Sequence, residues 1–243
     1  MAGLLTTSGL RVTLGGQPIL KGVTLSVDIG WFGVLGVNGS GKTTLLRSLC
    51  GRLPADAGRI SLDDVDLAGR EDLRAQRLLD APPIDTLPTD LTVSELLALV
   101  GESREAPAGS GQQVRSVLRI DEIEHRLIGS LSSGLKQRVA IALAFTGEAQ
   151  VVLLDEPFNW LDPVTAYELK ACLKALAQDR LIVTTLHDVA TFTAYCDAGV
   201  LLNAGQVARN YDVNELRSRR NDAVAFEAEV YQLLRETALT LGS

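Results

Sequence analysis

Positive charge, cysteine and long apolar runs are all scarce in this sequence. Of its 243 residues, 23 are Lys or Arg against 30 Asp or Glu, a net charge of −7. A general affinity for nucleic acid or anionic lipid is therefore not expected, which leaves only a local basic patch as a route to such partners. The three cysteines, Cys50, Cys172 and Cys196, are odd in number and far apart. That spacing suits a reduced, cytosolic chain and not a disulfide framework. Charged or strongly polar residues interrupt every apolar stretch well short of about 18 residues, so no helix is expected to span a bilayer. The opening MAGLLTTSGLRV lacks the basic start and long apolar run of a signal peptide. Aromatics make up 5% of the chain, and none stands in residues 1–30. With 46% apolar and 22% charged residues the composition is globular, neither disordered nor collagen-like.

The patterns that are present alternate between strand and helix. Val23, Leu25 and Val27 alternate with Thr24, Ser26 and Asp28, as in a half-buried strand. WFGVLG at 31–36 is a near-continuous apolar run, expected of a strand covered on both faces. Leu45, Leu46, Leu49 and Cys50 then recur at helical spacing, with Gly51 as a stop. From about Ala68 to Ser130 the chain is polar and helix-forming, broken at Pro82-Pro83 and at 107–111, and reads as a helical subdomain inserted into the main fold. A helix at about 133–147 leads to the strand at 151–154. Asp162-Pro163 forms an N-cap and first-turn pair for a helix through Leu176. A strand at 181–186, a short helix, a hairpin around Asn203-Ala-Gly205 and a polar helix from about Val213 complete the chain. The expected fold is α/β, with a core of mostly parallel strands, an N-terminal antiparallel part and the helical insertion. One domain covers 1–243: a core at about 1–75 and 150–210, the insertion at about 76–149 and a helical tail at about 211–243.

Three groups of residues carry chemistry. Gly36-Val-Asn38-Gly39-Ser40-Gly41-Lys42-Thr43-Thr44 fits G-x-x-x-x-G-K-[ST] between a buried strand and a helix. Its glycines let backbone N–H groups converge on phosphate oxygens, and the helix N-terminus adds partial positive charge. Lys42 would reach the β- and γ-phosphates and Thr43 would ligate Mg²⁺. In VVLLDEP, Asp155 at a buried strand end would hold the same Mg²⁺, directly or through water, and Glu156 could position or deprotonate the attacking water. His187 follows LIVTTL, and its strand end faces the same crevice, where an imidazole could bond a γ-phosphate.

The order of these motifs resembles that of ATP-binding-cassette (ABC) ATPases over residues 4–209. Leu131-Ser132-Ser133-Gly134-Leu-Lys-Gln-Arg138 stands where that family has its LSGGQ signature. FNWLD at 158–162 stands in the position of its D-loop, the segment after the carboxylate strand. The resemblance implies a head-to-tail dimer, either of two copies or with a paired nucleotide-binding domain. Each ATP would be clamped between the phosphate loop of one subunit and residues 132–134 of the other. It also implies a subunit that powers transport through separate transmembrane permease subunits. Such a subunit would lie on the inner face of the membrane without inserting into it, and would not bind nucleic acid. By the same resemblance Asp162 would lie at the dimer seam, although a helix N-cap explains it equally well. Two alternatives share the motifs: a soluble ABC-type ATPase that remodels protein complexes, and a nucleotide-sensing regulatory subunit with little turnover.

Two departures stand out. Leu14 occupies the place of the family's adenine-stacking aromatic, so weak base selectivity is expected. The glutamine that normally precedes the helical subdomain is replaced by Pro83 or Ile84, with no Gln between Gln76 and Gln112. Either the loop is shifted, or Asp80 or Asp85 substitutes, or the contact is absent.

Overall fold

The computed structural model describes residues 4–101, 109–147 and 149–240, with side chains through residue 235. The expected break at Pro107 lies outside them. A hairpin of β1 (Leu5–Leu14) and β2 (Gln17–Val27) opens the fold, and β3 (Gly30–Leu35) leads through the glycine-rich loop into α1 (Lys42–Leu49). After β4 (Ala57–Leu62) and β5 (Val65–Asp66) come α2 (Glu71–Arg77) and the short strand β6 (Leu78–Asp80). The next three helices are α3 (Val93–Leu99), α4 (Ser110–Val117) and α5 (Ser133–Leu143). Strand and helix then alternate through β7 (Val151–Leu154), α6 (Pro163–Leu176), β8 (Leu181–Leu186) and α7 (Val189–Tyr195). The hairpin β9 (Ala198–Asn203) and β10 (Gln206–Tyr211) precedes α8 (Val213–Arg219) and α9 (Ala223–Thr240).

Burial explains the strands. In β2, Val23, Leu25 and Val27 are buried while Thr24 and Ser26 are exposed, and this strand lies in an antiparallel sheet of order β2-β1-β4-β5. The second sheet, β10-β9-β3-β8-β7-β6, is parallel except for β10. Its β3 and β8 are buried almost throughout because apolar layers cover both faces. One layer holds α1 and the antiparallel sheet; the other holds α5, α6, α7 and α9. Asp162 caps α6 by accepting the Thr165 N–H at 3.0 Å, Pro163 follows at the first turn, and Leu169, Leu173 and Leu176 face the core.

The structure differs from the sequence expectation in two places. β6 is an edge strand of the parallel sheet, its Leu78 beside Val151 of β7, within a stretch read as wholly helical. At three residues it is too short to show an alternating pattern. The expected tail helix is two, broken by a tight turn at Arg220–Asp222. At this break Arg219 pairs with Glu229 at 3.0 Å, and Arg220 donates to the carbonyls of Thr193 and Cys196.

α9 is fastened by aromatic packing. Phe226 is fully buried, edge-on to Tyr211 with ring centroids 5.3 Å apart and stacked on Phe192 at 6.4 Å. Phe226→Ala should lower stability by about 3 kcal/mol through the cavity it leaves. Thermal or urea unfolding checks this, and an unchanged midpoint would mean that α9 is only loosely attached.

Candidate active site

β3 is hydrogen-bonded on both sides, so the loop after Leu35 emerges at the C-terminal edge of the parallel sheet. The Gly36 N–H bonds Leu186 O and the Ser40 N–H bonds Val37 O, both at 3.2 Å, which folds the loop back on itself. Gly41 precedes α1 with φ of 104°, a conformation that side chains disfavour, and a Cβ there would stand 3.0 Å from Leu20. The first intrahelical bond runs from the Leu45 N–H to Gly41 O at 2.9 Å. Helix geometry thus leaves the amides of residues 42–44 aimed out of the helix N-terminus, a ready anion site. Ser40 Oγ is buried without a hydrogen-bond partner among the described residues.

Lys42 is almost wholly buried and curls over its own loop, donating to Gly36 O at 2.7 Å and Val37 O at 3.1 Å. Its Nζ lies 3.8 Å from Glu156 Oε1. Burial lowers its pKa below the ordinary lysine value, a shift the carboxylates of Glu156 and Asp155 partly oppose.

The carboxylates stand where β7 ends. Thr185 of β8 donates its hydroxyl to Asp155 Oδ1 at 2.6 Å and accepts the Glu156 N–H at 2.8 Å. Asn159 Nδ2 donates to Glu156 Oε2 at 2.6 Å. Glu156 has φ of 45° and Trp160 φ of 66°, so two non-glycine residues of this loop occupy the left-handed region.

Two neighbouring cavities meet here. The first, of about 600 Å³, is lined by Asn38, Gly39, Gly41, Lys42, Thr43 and Thr44, with Asp155 and Glu156 opposite. The second, of about 740 Å³, is lined by Gly36, Val37, Glu156, His187 and residues of α9. Asn38, Glu156, Asn159 and Trp160 line both. The predicted phosphate-loop residues and both carboxylates thus come together, and His187 joins them across Glu156. Residues 132–134 do not: none of them lines either cavity, and Ser132 and Ser133 are exposed. Ser132 instead caps α5, accepting the Leu135 N–H at 3.4 Å.

α5 is nonetheless fixed to the carboxylate loop. A Cβ on Gly134 would stand 2.5 Å from the Trp160 carbonyl oxygen, so only glycine permits this approach. Gln137 Nε2 donates to Pro157 O at 3.4 Å, and Arg138 donates to Asp162 at 2.8 Å. Asp162, which also accepts from the Thr165 backbone and hydroxyl, has its pKa lowered to about 2.

The loop that lacks its glutamine presents Ala81, Pro82, Pro83 and Ile84 to the first cavity. Neither candidate substitute is there. Asp80 pairs with Arg52 at 2.9 Å, and Asp85 is exposed and does not line the cavity. A glutamine does line it from elsewhere in the chain, Gln137 of α5. Sequence reasoning passed over Gln137, Thr185, Asn159 and Trp160. Thr185 had a signal, since two threonines sit side by side in an otherwise apolar buried strand.

Thr185→Val keeps the shape but deprives the Glu156 N–H and Asp155 Oδ1 of their shared partner. A loss of about 1–3 kcal/mol is expected in urea unfolding; parental stability would show that these bonds do not hold the loop.

The sequence model of the ABC transporter family matches residues 20–159. The hemin import ATP-binding protein HmuV of Bordetella parapertussis is 34% identical over 223 residues, covering 84% of each chain. A Nod factor export ATP-binding protein I of Ralstonia nicotianae is 31% identical over 209 residues, covering 84% of this chain and 65% of that protein. ABC transporter A family member 1 of Dictyostelium discoideum is 31% identical over 210 residues, covering 82% of this chain and 23% of that protein. The chain therefore spans less than two thirds of the length of these last two relatives. A solved ATP-binding subunit of an ABC transporter superposes on 96% of this chain, and 99% of its own, with a TM-score of 0.81 at 26% identity. The chain belongs to the ABC transporter family, as an ATP-binding-cassette ATPase domain.

Proposed function

We propose that this chain is the ATP-hydrolysing subunit of a membrane transporter, working as one half of a head-to-tail pair on separate permease subunits. One observation carries this reading. The phosphate loop and both carboxylates share a cavity that residues 132–134 of the same chain do not line. A second copy, or a paired nucleotide-binding domain, would have to bring those residues to the phosphates. Transport is favoured over a non-transport or sensing role by relatives named for import and for export. No helix among the described residues is long and apolar enough to cross a membrane, so attachment to the membrane's inner face would run through protein partners.

The chain's own groups divide the work. The amides of 42–44, with Gly39 and Gly41 beside them, would cradle the phosphates while Lys42 supplies the compensating charge. Among the described residues no group of three or more His, Cys, Asp or Glu could hold a metal. Thr43 and Asp155 on one cavity therefore suit a Mg²⁺ that arrives with the nucleotide, most of its ligands being phosphate and water. Held by these two, Mg²⁺ would neutralise phosphate charge. Glu156, oriented by Asn159, would accept a proton from the attacking water as the γ-phosphoryl bond breaks and ADP leaves. His187 would hold the γ-phosphate from the second cavity.

Glu156→Gln should bind ATP but lose turnover by about 100-fold or more. Phosphate release against ATP-analogue binding checks this, and unchanged turnover rules the role out. Extraction of the chain from its native membrane in detergent should bring a multi-span hydrophobic protein with it. A chain that purifies alone and hydrolyses ATP at full rate would point to the non-transport reading.

A further inference from the structure

Lys170 of α6 is a half-buried ammonium that pairs with no carboxylate among the described residues. Its Nζ stands 4.9 Å from the ring centre of Phe158 and 5.8 Å from that of Tyr195, and it donates to Thr191 Oγ1 at 2.7 Å. Two aromatic faces and one hydroxyl thus hold the charge. Trp31 of β3 completes the group, its ring 6.2 Å from Phe158 and 5.7 Å from Tyr195. Taking an ammonium partly out of water without a counter-ion costs free energy, and nucleotide contact does not account for it. Lys170 lines neither the phosphate cavity nor its neighbour.

The groups that Lys170 touches lead to two different residues of the cavity of about 740 Å³, Glu156 and His187. Phe158 lies two residues beyond Glu156 on the carboxylate loop. Thr191, buried in the first turn of α7, leads to the other. Its hydroxyl accepts from Lys170 and donates to Asp188, and its N–H bonds Asp188 Oδ2 at 3.1 Å. The Ala190 N–H takes the remaining oxygen, Oδ1, at 2.9 Å. Asp188 follows His187 and is the N-cap of α7, so this cap sets where the His187 turn lies. Burial works against the Asp188 carboxylate, yet the Thr191 and Ala190 bonds and the Lys170 charge hold its pKa below the ordinary value. Lys170 is itself well anchored, because Leu169 and Leu173 beside it on α6 are wholly buried in the core.

We propose that Lys170 is a positioning residue for hydrolysis, setting the separation of Glu156 and His187 through Phe158 on one side and the Thr191–Asp188 cap on the other. This rests on the roles proposed above for Glu156 and His187, and adds the element that spaces them. A cation suits the task because it draws two rings and a hydroxyl oxygen to one point, which an apolar side chain of equal length does not. Without the charge, Phe158 and α7 pack independently, and Glu156 and His187 are both present but out of register. A misplacement of about 1 Å at a reacting centre is enough to cost much of a rate.

The test is steady-state ATP hydrolysis by the full chain with Mg²⁺, read as phosphate release. Lys170→Met keeps the length and removes the charge; it should lower kcat about tenfold and leave KM for ATP within about twofold. Lys170→Arg keeps a cation that can stack on the rings and donate to Thr191, and should recover most of that loss. Added to His187→Ala, Lys170→Met should cost scarcely more than His187→Ala alone, because the spacing to His187 no longer matters. Thr191→Val cuts the link to Asp188 without touching the lysine. It should lower kcat in the same way, and it carries the test if Lys170→Met does not fold, which unfolding midpoints and ATP-analogue binding report. A lowered midpoint with parental kcat, an equal loss in Lys170→Arg, or the full loss repeated on His187→Ala overturns the inference while the site reading stands. His187→Ala with parental kcat, or a parent that does not hydrolyse ATP, overturns both.

Discussion

Thr185 ties β8 to the loop that follows β7, donating a hydrogen bond to Asp155 and accepting one from the Glu156 N–H. Through this one hydroxyl the middle of the parallel sheet sets where both carboxylates lie. At its other end the loop is fixed by Asp162, which caps α6 and receives Arg138 from α5. Anchored at both ends, residues 155–162 tolerate two left-handed non-glycine residues that a free loop would relax away. Lys42 can then remain buried within reach of Glu156 although its charge is poorly solvated there.

α5 meets the same loop from another side. Gly134, Gln137 and Arg138 touch it at Trp160, Pro157 and Asp162 in turn. α5 is thus tied to the carboxylate loop at three points along its length. The prolines facing the phosphate cavity change the usual balance. Pro82 and Pro83 form a stiff, donor-free wall where an amide is typical of the family, and Gln137 supplies an amide from α5 instead.

Much of this was legible in the sequence wherever the signal is local. The phosphate loop announces itself because close approach to phosphate demands glycines at set spacing, and the α6 start because Asp162 and Pro163 act on their own next turn. The buried strands at 31–35 and 181–186 are plain because both faces must be apolar. What stayed hidden depends on partners far along the chain. β6 is a strand only because β7 offers its edge, 73 positions later at Leu78 and Val151. Thr185 matters only through its position beside Asp155, 30 residues earlier. Trp160 shows as unusual only when its exposure and backbone angle are known. The meeting of α9 with the His187 turn has no local pattern at all.

That last meeting bears on how the protein is made. The phosphate loop is synthesised early and the carboxylate strand midway, yet one wall of the cavity beside Glu156 comes from α9, near the end of the described chain. A ribosome-bound chain would hold its nucleotide loop well before that wall exists. The order of translation thus leaves this wall to be added last, when Phe226 of α9 docks on Tyr211 and Phe192.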